Sequence, residues 1–155
     1  MPVSLSRKVL RDEVYVYGGN GHGSVDTFIR RFATLVYSRG DAITFADNAS
    51  NGSTFTINED GLYTISYIDA SSTGADAGCS KNSPFLTTAI ATTPNDPYRI
   101  FAVSVSGAAP NQTGGMAVTV FCQVGDVIRA HNDSASTPDG TANNGTSFRI
   151  TKVGE

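Results

Sequence analysis

Between Thr54 and Ile68 the chain reads Thr-Phe-Thr-Ile-Asn-Glu-Asp-Gly-Leu-Tyr-Thr-Ile-Ser-Tyr-Ile, and no other stretch restricts the fold as much. Phe55 and Ile57 alternate with threonines, Asn58-Glu59-Asp60-Gly61 supplies a turn, and Tyr63, Ile65 and Tyr67 then alternate with Thr64 and Ser66. A period of two, broken once by a turn ending in glycine, predicts a strand, a tight connection and a second strand. Val118-Thr119-Val120-Phe121-Cys122, Gln123-Val124-Gly125-Asp126 and Val127-Ile128-Arg129-Ala130 repeat the arrangement. Two hairpin-like units of this kind frame an antiparallel β domain. After residue 27 no apolar period of 3.6 appears, so no helix is expected there.

The other strands are shorter. Tyr15-Val16-Tyr17, Phe32 to Tyr37, Ile43-Thr44-Phe45, a segment around Gly78 to Lys81, Tyr98 to Ser106 and Phe148 to Thr151 carry β-rich or alternating sequence. Phe85 to Ile90 is read as an added edge strand, kept out of the sheet centre by Pro84, Pro94 and Pro97. Gly18 to Ser24 is rich in glycine, which loses extra backbone entropy on ordering. Residues 1–26 are therefore read as an extended arm with a glycine hinge, and 27–155 as the folded domain. With 155 residues the chain suits one domain of usual size. Successive strands reverse direction, so the long polar loops 69–77, 106–115 and 132–146 should emerge at one end. The tight turns 58–61 and 123–126 should lie at the other, near the termini.

Charged residues are only 16% and the net charge is −3, which argues against a nucleic-acid partner. Residues 1–40 nevertheless hold six cations against three carboxylates, a local +3 that leaves −6 for the remainder. A basic leading segment on an acidic body suits docking on an acidic surface. No run approaches the roughly 18–20 apolar residues of a membrane span, and residues 1–10 lack the apolar region of a signal peptide. Synthesis in the cytosol, with no membrane partner, is the expectation.

The sequence from Gly52 to Tyr67 resembles the F-x-x-x-x-x-G-x-Y-x-x-x-Y signature of the C1q and tumour-necrosis-factor-like jelly rolls. Val124-Gly-Asp-Val-Ile128 is similar to their G-D-x-V turn, and Phe148 falls where their last strand has an aromatic. The resemblance spans residues 28–153 and implies an all-β, two-sheet jelly-roll sandwich. It also implies a homotrimer in which excess apolar groups are buried along a threefold axis, with Tyr63, Ile65, Tyr67 and Phe121 as interface candidates. Similar modules are the compact heads of bacteriophage structural proteins, and the resemblance is read toward that branch.

Chemistry finds little support. Cys79 and Cys122 form no Cys-x-x-Cys and have no histidine at ligand spacing, so buried free thiols are expected and no metal or cofactor is implied. His22 is read as an exposed loop residue, and His131 as part of a half-buried polar face beside Arg129. Asp60 and Asp126 sit beside turn glycines, where a carboxylate caps backbone N–H groups. Asp133 and Asp139 complete the loop acids without a calcium-loop pattern. No convergent acid, base and nucleophile appears, so the chain is not expected to be an enzyme. The expected role is a trimeric decoration or cement protein of a bacteriophage capsid, resident in the virion and bound to the major capsid protein or another virion protein. Its arm would anchor through Val3, Leu5, Arg7, Lys8, Leu10, Arg11 and Tyr15. The alternative is a receptor- or glycan-binding head of a phage fibre.

Overall fold

A computed structural model describes residues 11–25, 28–71, 76–103, 112–133 and 145–155. Two five-stranded sheets face each other. The first has the order β2-β1-β10-β5-β8 and the second β3-β4-β9-β6-β7. The strands are β1 Glu13–His22, β2 Arg30–Arg39, β3 Ile43–Ala46, β4 Thr54–Ile57, β5 Gly61–Ser71, β6 Ala77–Lys81, β7 Arg99–Val103, β8 Gln112–Cys122, β9 Val127–Asn132 and β10 Ser147–Gly154. All pairings between them are antiparallel. The all-β jelly-roll expectation holds.

The two units that dominate the sequence are strands, but they are not hairpins. β4 belongs to the second sheet and β5 to the first, while β8 and β9 are divided the other way round. Each turn carries the chain across the sandwich, and the units pair with each other: β5 with β8 from Gly61↔Cys122 to Ser71↔Gln112, and β4 with β9 at Phe55↔Ile128. The turns interlock as well. The amide of Ile57 donates to Asp126 O at 2.8 Å, that of Gly125 to Ile57 O at 2.8 Å, and that of Val124 to Asp60 Oδ1 at 2.7 Å. A period of two specifies which face a side chain takes; the partner strand depends on a register set some 60 residues away in the chain.

β1 overturns the arm-and-hinge reading over Glu13 to His22. It is a ten-residue strand held between β2 and β10, and Val14 and Val16 are fully buried in the core. The glycines are used rather than merely tolerated. Gly18 at φ 77° and Gly21 at φ 69° take left-handed conformations that a side chain resists, and the β1–β2 register shifts between Gly19 and His22. The boundary at 26/27 thus falls between two strands of one sheet. Phe85 to Ile90 is no strand either; it runs through turns into a short 3₁₀ segment, Ile90–Thr92, whose first residue is buried.

Strand register places Ser71, Ala77, Val103, Gln112, Asn132 and Ser147 at one end of the sandwich, from which the connections between 71 and 77, 103 and 112, and 132 and 147 leave. Most of those loops lies outside the described residues. The tight turns lie at the other end, and both the start of β1 and the end of β10 join them there. The amide of Lys152 donates to Asp12 O at 2.9 Å, and its ammonium meets Glu59 at 2.9 Å.

Between the sheets, the ring of Phe148 lies parallel to that of Phe55, with centroids 4.3 Å apart, and Phe32 and Tyr67 meet Phe148 at 6.0 and 5.7 Å. Phe55 comes from the second sheet and the other three from the first, so this cluster joins the two layers. Each such pair adds about 0.5–1.5 kcal/mol beyond area burial. Cys79 and Cys122 are free thiols buried in the same core. Burial holds Cys79 well above the ordinary thiol range and pushes Cys122 up to about 11. Thiolate is the reactive form, so neither should react with a thiol-specific alkylating reagent at pH 8 in the native protein, whereas both should react in urea. Replacing both by Ala is expected to cost at most about 2–3 kcal/mol, through lost packing. Rapid labelling of the folded chain would contradict the assignment.

Candidate functional site

β5 sets the geometry. Tyr63, Ile65 and Tyr67 are 0–1% exposed and fill the interior, so the trimer-interface reading of these three is corrected: they serve the core of a single chain. The alternate positions Leu62, Thr64, Ser66 and Ile68 carry the outer face. β10 runs through the middle of the same sheet and contributes Ser147, Arg149 and Thr151, and β1 contributes Glu13 and Tyr15. All of these but Leu62 line a hollow of about 540 Å³ on the outside of the first sheet. Tyr15, expected on an anchoring arm, is thus part of the sheet face, while Arg11 lies at the rim of the hollow. Val3, Leu5, Arg7, Lys8 and Leu10 lie outside the described residues.

The polar centre of this face is pre-ordered. Arg149 places its guanidinium 4.7 Å from the centre of the Tyr15 ring, and its Nε is 3.3 Å from Glu13 Oε1. Tyr15 meets Tyr37 at 5.7 Å, and Arg39 covers Tyr37 at 4.7 Å. Thr151 Oγ1 donates to Glu13 Oε1 at 3.2 Å, and the hydroxyls of Thr64 and Thr119 bond at 2.9 Å across β5 and β8. Apolar groups flank the centre. Leu62, Phe121 and Val153 are 40–51% exposed toward the tight-turn end, and Ile68 is 39% exposed toward the other. Phe121 is the one predicted interface residue that stands on the surface. β8 closes the sheet, its outer edge pairing with no strand among the described residues, and Met116, Val118 and Val120 are incompletely covered beside it. The sequence signal for the face was parity: once Tyr63, Ile65 and Tyr67 point inward, their neighbours must point outward.

At the loop end the interior holds a polar cluster that sequence reading passed over. Arg30 and Asp69 form a buried ion pair through Nε at 2.9 Å and through Nη2. Asn132 Nδ2 donates to Asp69 Oδ2 at 2.9 Å, Tyr67 Oη donates to Asn132 Oδ1 at 2.8 Å, and Thr146 Oγ1 donates to Asp69 Oδ1 at 3.2 Å. The cluster ties the ends of β2, β5 and β9 to the residue before β10.

His22 is part of this cluster rather than an exposed loop residue. Its Nε2 lies 3.3 Å from Asn132 Nδ2, and burial, with Arg30 and His131, pushes its pKa down to about 3. His131 is fully buried, more than the half-buried reading allowed. Its Nε2 donates to Thr88 O at 2.7 Å, its Nδ1 faces Ser80 Oγ at 3.2 Å, and burial lowers its pKa. Asp126 accepts from the amide of Gln123 and from Asn82 Nδ2 at 2.9 and 2.6 Å, and Asp133 accepts from the amide of Ala91 at 2.8 Å. With Asp60 bound to Val124, the loop acids are occupied in holding backbone. Asp139 lies outside the described residues. Among the described residues no three of His, Cys, Asp and Glu gather within reach of one metal ion.

No protein-family model and no curated protein matches the sequence. The fold is similar to crystal structures of murine APRIL: at pH 8.0 with a TM-score of 0.66 and 14% identity, and at pH 5.0 with 0.61 and 12%, each covering 93% of this chain and 100% of that one. At such identity the likeness speaks to architecture alone. The chain carries a tumour-necrosis-factor-like jelly roll.

Proposed function

We propose that this chain is a non-catalytic structural module that works as a homotrimer, with the outer face of the first sheet turned toward the threefold axis. The carrying observation is the distribution of exposed apolar groups. Of the ten large apolar side chains exposed among the described residues, Leu62, Ile68, Met116, Phe121 and Val153 lie on this sheet's face or on its β8 flank. A monomer rarely leaves such a set uncovered, and an edge strand beside it invites association. A face and a flank are different surfaces, so contact between them is head-to-tail, and a head-to-tail contact closes when the rotation permits a ring.

The finer role we propose is decoration of a virion capsid through the leading segment. Two observations support it: the chain enters at the tight-turn end, opposite the long loops, and within residues 1–12 Arg7, Lys8 and Arg11 stand against Asp12 alone. The anchor is confined to residues before Glu13, because β1 belongs to the sandwich. Replacing Ser66 by Arg, at the centre of the face and beside Arg149, should release monomers with an unchanged circular dichroism spectrum. Deleting residues 2–10 should leave the trimer intact and abolish its attachment to particles. Full attachment by the truncated chain would move the contact to the sandwich, and a trimer that tolerates Ser66→Arg would move the axis to another face.

A further inference from the structure

Beside the Arg30–Asp69 pair, two buried nitrogens have no hydrogen-bond partner among the described residues: Arg30 Nη1 and His22 Nδ1. Both are donors. Asp69 Oδ2 and Tyr67 Oη fix the Asn132 amide, with Nδ2 donating to the carboxylate and Oδ1 accepting from the phenol. Nδ2 therefore also faces His22 Nε2 as a donor, which makes Nε2 the acceptor of a neutral imidazole and leaves the proton on Nδ1. His22 and Arg30 are direct partners across the β1–β2 ladder, so their side chains leave the same side of the sheet. Arg30 is fully buried.

Among the described residues the acceptors nearby are already engaged. Asp69 Oδ1 receives Arg30 and Thr146, Asp69 Oδ2 and Asn132 Oδ1 are taken as described, Tyr67 Oη, which donates to Asn132, also interacts with the Arg30 side chain, and Ala70 O receives Arg30 Nη2 at 3.4 Å. A water has two hydrogens of its own to place and needs acceptors as well as donors. An atomic anion has none to place. We propose that Arg30 Nη1 and His22 Nδ1 hold a small monovalent anion of the halide class inside the loop end of the sandwich. The positive field of Arg30 at His22, which helps depress the imidazole, favours negative charge in the same place. Such an ion fastens the end of β1 to the start of β2 and supports the cluster from which the long connections leave.

The test uses the full chain in sodium bromide, sodium chloride and sodium gluconate at equal ionic strength. A ligand bound only by the native state raises stability in a saturating way, so Tm should rise by about 3–5 °C up to about 0.5 M halide and stay flat in gluconate. His22→Phe should remove that difference. Crystals of the unmutated chain grown with bromide should show an anomalous peak within hydrogen-bond distance of both nitrogens, a readout that survives if His22→Phe fails to fold. Equal Tm in all three salts, or a water without anomalous signal at that position, would overturn the proposal. So would a bromide peak unaccompanied by any halide dependence in solution, which marks binding at crystal concentration only.

Discussion

Replacing Asp69 by Ala is expected to destabilise the protein by about 3–5 kcal/mol, read as a shift in urea midpoint at fixed protein concentration. The pair it breaks has no access to solvent: the side chains of Arg30 and Asp69 are 0% and 3% exposed. Removing one partner strands the other charge in the interior, which costs far more than the pair itself contributes. The loss spreads to Asn132 Nδ2 and Thr146 Oγ1, which also donate to this carboxylate. Glu59→Ala supplies the control. Its partner Lys152 lies at 2.9 Å, yet Glu59 is half exposed, and pairs of that kind contribute little. A near-neutral Asp69→Ala would mean that Arg30 finds another acceptor, and the cluster would lose its structural role.

Acid is expected to have an effect of similar size. In the unfolded chain His22 takes up a proton near its ordinary value of 6.5, whereas in the fold its pKa lies at about 3. The folded value is depressed, so the unfolded chain binds more protons between these limits. The contribution is complete above about pH 6.5 and is lost as the pH falls toward 3. In halide-free buffer this removes about 3 kcal/mol between pH 7 and pH 4, and His131 acts in the same direction. Urea titrations along that range should show falling midpoints, and His22→Gln should flatten the slope. A pH-independent midpoint would place a protonated imidazole in the fold and contradict the tautomer assigned to His22.

Much of the sandwich was legible because parity is a local property. Phe55 and Ile57, or Tyr63, Ile65 and Tyr67, share one face by alternation alone, but alternation does not say which face is the core: the three of β5, expected at a trimer interface, are its core side. Pairing was not legible. Nothing between Thr54 and Ile68 says that β4 and β5 part into different sheets, since that is decided by bonds to β9 and β8. β1 was missed for a related reason. Glycine weakens a strand on average, but Gly18 and Gly21 here take the left-handed conformations this strand needs, Gly21 within the register shift between Gly19 and His22.

The polar cluster did leave a trace. Asp69 follows Tyr67 at the spacing that points inward, Arg30 precedes Phe32 at the same spacing, and Asn132 follows Ala130. Opposite charges at core-facing positions of two strands predict a buried pair, provided the strands are known to meet; their separation of 39 positions in the chain concealed that. The outer face was legible only by subtraction. Its aromatic and charged ladder, Arg39–Tyr37–Tyr15–Arg149, is drawn from three strands.

Association through that face is the central claim, and the mass of the intact chain in solution tests it most directly. Sedimentation equilibrium at micromolar concentration should give a single species of three times the 16.2 kDa protomer, and Ser66→Arg should return it to the protomer mass. A 16.2 kDa species for the unmutated chain at that concentration would contradict the account.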